Sequence, residues 1–226
     1  YDYNTVIRRV VTQMTNSGLR TVDYASGRSN RVPVAARMSI LTGVSQITGK
    51  INERNAKLLG TEYFEVDWHP GARPSHAIWQ GKVYSKEELE TVCGLGTVTG
   101  LCGANCYHVY YPFVPGISER LYSDEWLEEQ NQKELETKEW NGKEYNLYEQ
   151  TQKQRQMETA MRAQREKIDA LKAAKVSQDE ITLAKAKYQA QLNEYARFSR
   201  KMGLVEQRER IYYDMRGRLA TNSKKQ

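Results

Sequence analysis

The sequence is poor in the residues from which covalent or metal-based scaffolds are built. It has 226 residues but only 3 cysteines, 3 histidines and 5 prolines. Three cysteines cannot form the disulfide framework of a small secreted domain, so we expect a reducing compartment. The sequence also lacks any run of about 18 apolar residues, which predicts that there is no transmembrane helix and no membrane partner.

The cysteines and histidines that are present cluster in one stretch. All six lie between positions 69 and 108, and three of them fall within GLCGANCYHVYYPF, residues 100–113. Such a concentration is compatible with a metal site, an active site or a packed structural element.

Charge is segregated along the chain. Residues 1–60 carry 9 basic and 3 acidic side chains, residues 61–145 carry 7 and 15, and residues 146–226 carry 18 and 10. Basic segments attract nucleic acid or acidic protein surfaces, although lysines and arginines also solvate long helices. Arginines near the start of the chain are candidates for nonspecific DNA or partner contact, or for pairing with the acidic middle: Arg8, Arg9, Arg20, Arg28 and Arg31.

Two amphipathic helices are predicted in the first 60 residues. The first covers about residues 1–18 and has apolar residues at helical spacing. The second begins near Pro33 and ends by Gly60. We expect the apolar stripes of both helices to be buried against each other. The second stripe consists of Met38, Leu41, Val44, Ile47, Ile51 and Leu58.

Residues 61–122 have the pattern of a small α+β module. TEYFEVDW and CYHVYYPF predict strands, and AIWQGKVYS predicts two short strands around a turn at Gln80 and Gly81. A Ser-x-x-Glu capping box that starts at Ser85 predicts a short helix. The glycines of residues 94–103 indicate an irregular segment.

The remainder of the chain is predicted to be mainly helical. A helix begins near Ser123, and Asn141-Gly142 between aromatic flanks predicts a β-hairpin. From about Leu147, two long helices separated by a second capping box at Ser177 should form an antiparallel hairpin, and a last helical segment follows.

The predicted fold class is therefore α+β. We expect an N-terminal helical part at 1–60 and the central module at 61–122. A helix, a ribbon and the long helical hairpin should occupy 123–217, and a disordered basic tail 218–226.

Several short motifs occur in an order that resembles the phage head morphogenesis family called Mu F-like, and more closely the related phage minor capsid protein 2 family. They are Arg-Pro-Ser-His at 73–76, Gly-Lys-Val-Tyr-Ser at 81–85 and Asn-Cys-Tyr-His at 105–108, followed by Pro112. The Gln- and Arg-rich C-terminal helices are similar to those of the family, so the resemblance extends from about Arg20 to Arg210. The signature residues are Arg73, Pro74, His76, Gly81, Asn105 and Cys106.

This resemblance implies a non-enzymatic component of the virion that is assembled in the bacterial cytoplasm. A minor capsid protein at the portal vertex or inside the head would contact portal and capsid proteins, and could associate with itself. Roles in head morphogenesis, DNA packaging or ejection follow from the same resemblance. Relatives are longer at the N-terminus, so we expect a region to be missing before Tyr1.

The Cys/His cluster allows two interpretations. Many Mu F-like relatives carry Asn-Cys-Arg-Cys, so His108 would replace a cysteine if the motif bound a metal. A zinc site would use Cys102, Cys106, His108 and His76. We favour the alternative without a cofactor, in which the cysteines pack as small apolar side chains and His76 hydrogen-bonds a backbone carbonyl.

Enzymatic interpretations are weaker. A cysteine hydrolase would need Cys106, His76 as its base and Asp67 to orient that base, but no helix N-terminus is evident to activate the thiol. A toxin-like ADP-ribosyltransferase would need a Glu-x-Glu pair on a strand, and no convincing pair is present. The Gly-rich segment lacks the Lys-Ser/Thr of a P-loop. We therefore assign no catalytic residue, and a zinc-binding hydrolase or toxin-like domain is the alternative function.

Overall fold

The computed structural model describes residues 5–6, 9–10, 21–27 and 29–212, which adopt the predicted α+β fold. The chain divides into two compact units, Tyr1–Gln132 and Lys133–Gln226. Most of the helix predicted at 1–18 and all of the tail predicted at 218–226 lie outside the described residues.

The main helix of the first unit is α1, Val32–Leu59, which follows the antiparallel strands β1, Thr21–Asp23, and β2, Ser29–Arg31. It has proline in its first turn and ends at Gly60, whose φ of 69° is left-handed. The predicted start and end of this helix are confirmed.

The predicted buried stripe of α1 is wrong at four positions. Val44, Ile47, Ile51 and Leu58 are 52%, 61%, 54% and 78% exposed, and we call these four residues the α1 stripe. The helix instead buries a face of mostly small residues: Val32, Ala35, Ala36, Gly49, Asn52 and Ala56. Small side chains allow the neighbouring strand to approach closely, which large apolar side chains would prevent.

A three-stranded antiparallel sheet packs beside α1. Its central strand is β3, Tyr63–Val66, which lies between β4, Val83–Ser85, and β5, Tyr110–Phe113. In β5 the backbone carbonyl of Tyr110 accepts a hydrogen bond from Asn52 of α1 at 2.7 Å. The core below the sheet is apolar and includes Phe64, Val66, Trp79, Leu89, Leu101 and Tyr110.

The prediction of two strands in AIWQGKVYS is wrong in its first half. Arg73 is extended, and Pro74 then begins a one-turn helix, α2, Pro74–Ala77. Gly81, with a φ of 73°, reverses the chain into β4. A Cβ at position 81 would collide with the side chain of Leu127, so glycine is required there for space as well as for conformation.

Two further predictions in this module have different outcomes. The predicted capping box of Ser85 and Glu88 is present and opens α3, Lys86–Thr91. In CYHVYYPF, however, only Tyr110–Phe113 pairs as a strand, so the predicted strand is too long. Residues 106–109 precede the strand. There the Asp67 backbone N–H donates to the Val109 carbonyl at 3.0 Å, and the Asp67 carboxylate accepts the Val109 N–H at 2.7 Å.

Helix α4, Asp124–Leu135, precedes the predicted hairpin, which is formed by β6, Lys138–Trp140, and β7, Lys143–Tyr145. Its turn residues Asn141 and Gly142 have φ values of 52° and 77°, as a two-residue hairpin turn of this type requires. Both predictions are confirmed.

The second unit is dominated by the predicted helical hairpin of α5, Leu147–Ala173, and α6, Gln178–Met202. Besides apolar residues, its interface buries Gln150, Gln154, Glu158 and Gln164. Gln154 donates hydrogen bonds to the Ser199 hydroxyl and the Val205 carbonyl, both at 3.0 Å. A 3₁₀ turn, Arg208–Arg210, stands where a last helical segment was predicted. Within the described ranges, no helix has the length and apolarity that a membrane span needs.

Candidate metal centre

The two halves of the sequence signature meet beside β5. His76 comes from α2, whereas Cys106 and His108 come from the segment that leads into β5. The Arg73 guanidinium donates a hydrogen bond to the carbonyl of Ala104 at 2.8 Å, which joins the start of α2 to this segment. Asn105, with a φ of 57°, turns the chain directly before Cys106. The signature is therefore a set of residues that builds one local structure.

Three potential metal-binding atoms point at one another. The Cys106 Sγ lies 3.8 Å from the His76 Nδ1 and 3.7 Å from the His108 Nδ1. The two Nδ1 atoms are 3.4 Å apart. All three side chains are buried, with exposed fractions of 2% for His76, 8% for Cys106 and 3% for His108. The structure thus brings three of the four predicted zinc ligands together.

The outer nitrogen of each imidazole has its own partner. The His76 Nε2 lies 2.8 Å from the Thr99 carbonyl oxygen. The His108 Nε2 lies 2.8 Å from the Gln80 Oε1, and that same oxygen accepts the backbone N–H of His69 at 3.0 Å. These hydrogen bonds fix the orientation of both imidazole rings.

The cluster is neutral in the absence of a cation. Burial, assisted by the charges of His69, His76 and Arg73, lowers the pKa of His108 to about 3. Burial also lowers the pKa of His76 despite its hydrogen bond to Thr99. For Cys106, burial raises the pKa of the thiol. Neutral imidazoles are the form in which histidine ligates metals.

Cys102, the fourth predicted ligand, is not part of this group. It has a left-handed backbone with a φ of 56°, and its Sγ lies 3.8 Å from the carbonyl oxygen of His108. Burial raises its pKa to about 11. Cys93 packs in the apolar core, where burial raises its pKa to about 12. These two thiols match the interpretation of cysteines as small apolar side chains.

The arrangement that a cysteine hydrolase would need, with Asp67 orienting His76, is not present. The Asp67 carboxylate contacts the His69 Nε2 at 3.0 Å and accepts the Val109 N–H. The second nitrogen of His76 faces the carbonyl of Thr99 and not a carboxylate. Asp67 therefore orients His69, whose pKa it raises, and does not orient His76.

The arginines proposed for DNA or partner contact are only partly described. Arg9 is exposed and Arg31 is half-buried where it precedes α1. Arg8, Arg20 and Arg28 lie outside the described residues.

Sequence reasoning missed Gln80 and Thr99, which hold the two imidazoles. The sequence predicts only that Gln80 lies in a turn. Its burial depends on how that turn packs against the rest of the unit. Thr99 contributes a backbone carbonyl, which any residue could provide, so no sequence signal identifies it.

Comparison with known protein families gives a match over most of the chain. The family described as Phage minor capsid protein 2 matches residues 1–197. Searches of curated proteins and of solved structures find no significant match. Because the match covers far more than half of the 226 residues, the chain belongs to the phage minor capsid protein 2 family.

Proposed function

We propose that this protein acts at the portal vertex of the phage head, where it supports head assembly and DNA packaging or ejection without being an enzyme. Membership of the family establishes that the protein has a structural role in the phage head, among other virion proteins. We further propose that the protein contacts portal subunits, contacts DNA nonspecifically and associates with itself.

The observation that carries the proposal is the exposed α1 stripe. Its four residues are spaced 3, 4 and 7 apart, which puts them on one face of the helix. An exposed apolar face of this kind is a feature of protein interaction surfaces. A head subunit that is held among fixed neighbours has a reason to keep such a face.

Charge beside the stripe indicates the chemistry of the partner. Lys50, Arg54 and Lys57 are exposed on α1 and lie along one edge of the stripe. An apolar strip with a basic border fits a partner surface that has an apolar patch bordered by carboxylates. We assign this partner surface to a portal subunit.

Burial of the reactive groups supports a non-enzymatic role. Cys106 and both histidines beside it are at most 8% exposed, and burial keeps the thiol protonated by raising its pKa. A nucleophilic cysteine requires a thiolate that a substrate can reach. The two contacts that the Cys106 thiol makes with imidazoles are therefore better suited to structure than to catalysis.

Binding to purified portal rings tests this proposal. We expect the wild-type chain to co-sediment with the rings, and the double variant Ile47→Asp/Ile51→Asp to bind at least about tenfold more weakly. Loss of one buried isoleucine costs about 1.5–3 kcal/mol, and about 1.4 kcal/mol corresponds to tenfold in affinity.

Leu183→Asp is the matched control, since Leu183 is 73% exposed on α6 in the other unit. It should bind portal rings as the wild type does. Equal binding by all three proteins, or binding of the wild type to capsid shell subunits but not to portal rings, would contradict the proposal.

A further inference from the structure

We infer that His76, Cys106 and His108 bind one divalent cation of the zinc class, which connects α2 to the segment before β5. This inference concerns the stability of the first unit and does not depend on where the protein sits in the phage head.

The first argument is the protonation of the two imidazoles. A carbonyl oxygen can only accept, so the His76 Nε2 that faces Thr99 carries the proton. The Gln80 oxygen is identified by the backbone N–H of His69 that it accepts, so the Nε2 of His108 must also be the donor. Each neutral ring has one proton, and therefore both Nδ1 atoms present lone pairs.

The second argument follows from the positions of those lone pairs. The Nδ1 atoms are 3.4 Å apart in a buried site, and two acceptors cannot hydrogen-bond each other. The Cys106 thiol has one proton and can satisfy only one of them. A buried acceptor without a partner is costly, whereas a cation between the atoms satisfies both nitrogens and the sulfur.

The third argument is the spacing of the three ligand atoms. With metal–nitrogen bonds of about 2.05 Å, a metal–sulfur bond of about 2.3 Å and tetrahedral angles, the ligand atoms should be about 3.4 Å apart for the nitrogens and about 3.6 Å for sulfur and nitrogen. The observed distances are 3.4 Å between the nitrogens and 3.7 and 3.8 Å from the sulfur. The ligand atoms are thus already spaced for a tetrahedral ion.

The donor set selects the class of cation. Two imidazoles and a thiolate suit zinc and related transition metals, whereas magnesium and calcium prefer oxygen. Binding breaks the S–H bond of Cys106, forms a sulfur–metal bond and releases one proton to solvent. Cys102 is turned away, so we assign the fourth position to a water molecule. The hydrogen bonds of Gln80 and Thr99 orient the ligands, as outer partners do in known zinc sites.

The test uses the untagged full-length chain, so that no added histidines bind metal. We expect elemental analysis to find about one zinc ion per chain after excess zinc has been removed. Replacement by Co²⁺ should produce a thiolate charge-transfer band. A chelator should lower the thermal midpoint of the first unit, and added zinc should restore it.

Variants identify the ligands. Cys106→Ser should abolish the thiolate band, and His108→Ala should weaken zinc binding by on the order of 100-fold or more. Cys102→Ser is the matched control, since it removes the neighbouring buried thiol and should retain both the zinc and the band. If Cys106→Ser does not fold, the zinc content and the band of the wild type and of Cys102→Ser decide the question.

Three results would overturn the inference. These are substoichiometric zinc in the wild type even after zinc is added, a thiolate band that survives in Cys106→Ser, and a band that is lost in Cys102→Ser.

Discussion

Two glycines of α1 allow a test of how this helix packs. Gly43 and Gly49 lie six residues apart in the same helix, which is about 1.7 turns. A Cβ added at Gly43 would meet no heavy atom within 4 Å. A Cβ added at Gly49 would lie 2.6 Å from the Oη and 3.0 Å from the Cζ of Tyr110, whose side chain is 1% exposed. Alanine should therefore have opposite effects at the two positions.

The magnitudes follow from two competing contributions. Alanine in place of glycine within a helix gains about 0.5–1 kcal/mol, so Gly43→Ala should stabilise the first unit by about that amount. At Gly49 the same gain is opposed by overpacking, which costs about 1–3 kcal/mol. Displacement of Tyr110 also strains its 2.8 Å hydrogen bond to Glu53, which is worth about 1 kcal/mol or more. We expect Gly49→Ala to be less stable than Gly43→Ala by about 2–4 kcal/mol.

Denaturant unfolding followed by tryptophan fluorescence measures this difference, because Trp79 lies in the core of the first unit. The free energies of unfolding of wild type, Gly43→Ala and Gly49→Ala are compared with one shared m-value, the slope of free energy against denaturant concentration. If Gly49→Ala were as stable as Gly43→Ala, the close packing of α1 on Tyr110 would be refuted.

Two further predictions concern hydrogen-bonded polar side chains. Gln154→Ala removes both hydrogen bonds of the buried Gln154 side chain and should lower the free energy of unfolding of the second unit by about 2–3 kcal/mol, measured with denaturant. The exposed Gln189→Ala should change it by less than about 0.5 kcal/mol, and equal losses would contradict the assigned role. Burial alone would raise the pKa of Glu53, but hydrogen bonds from Lys86 and Tyr110 and nearby lysine charges lower it below 4.5. The stabilisation that ionised Glu53 provides is therefore fully present above the unfolded-state pKa of 4.5. It is lost as the pH falls through the lower pKa of Glu53 in the folded protein. Between about pH 6 and pH 3, the wild type should lose more unfolding free energy than Glu53→Gln. Glu87→Gln is the control for removing one exposed negative charge, and a loss in Glu53→Gln as large as in wild type would refute this role.

Local sequence signals predicted the elements whose structure is decided locally. The Asn141-Gly142 turn, the Ser85 capping box and the Gly60 helix end all depend on the conformational preferences of a few adjacent residues. The long helices followed from helical periodicity in the same way, because their pattern repeats over many turns.

The sequence could not predict which face of α1 is buried, because two of its faces are suited to packing against the core. Periodicity favoured the face with Ile47 and Ile51, which are the larger apolar residues. The structure buries the face with Gly49 and Asn52, since β5 approaches closely and Asn52 donates to a backbone carbonyl there. Such complementarity between distant segments leaves no periodic signal in one sequence.

The candidate site was predicted in part for a similar reason. His76, Cys106 and His108 were identified because few residues of these types exist in the chain. The difference between Cys106 and Cys102 depends on the left-handed backbone of Cys102, which turns its side chain toward the His108 carbonyl. Helical or strand periodicity does not report a single positive φ in an irregular segment.

Chemical cross-linking of intact phage particles tests the position at the portal vertex most directly. Lys50 and Lys57 lie along the edge of the α1 stripe and can react with lysine-specific cross-linkers. If the stripe contacts the portal ring, mass spectrometry should find cross-links from these two lysines to portal subunits. Cross-links from both lysines to the capsid shell protein alone would contradict the proposed position.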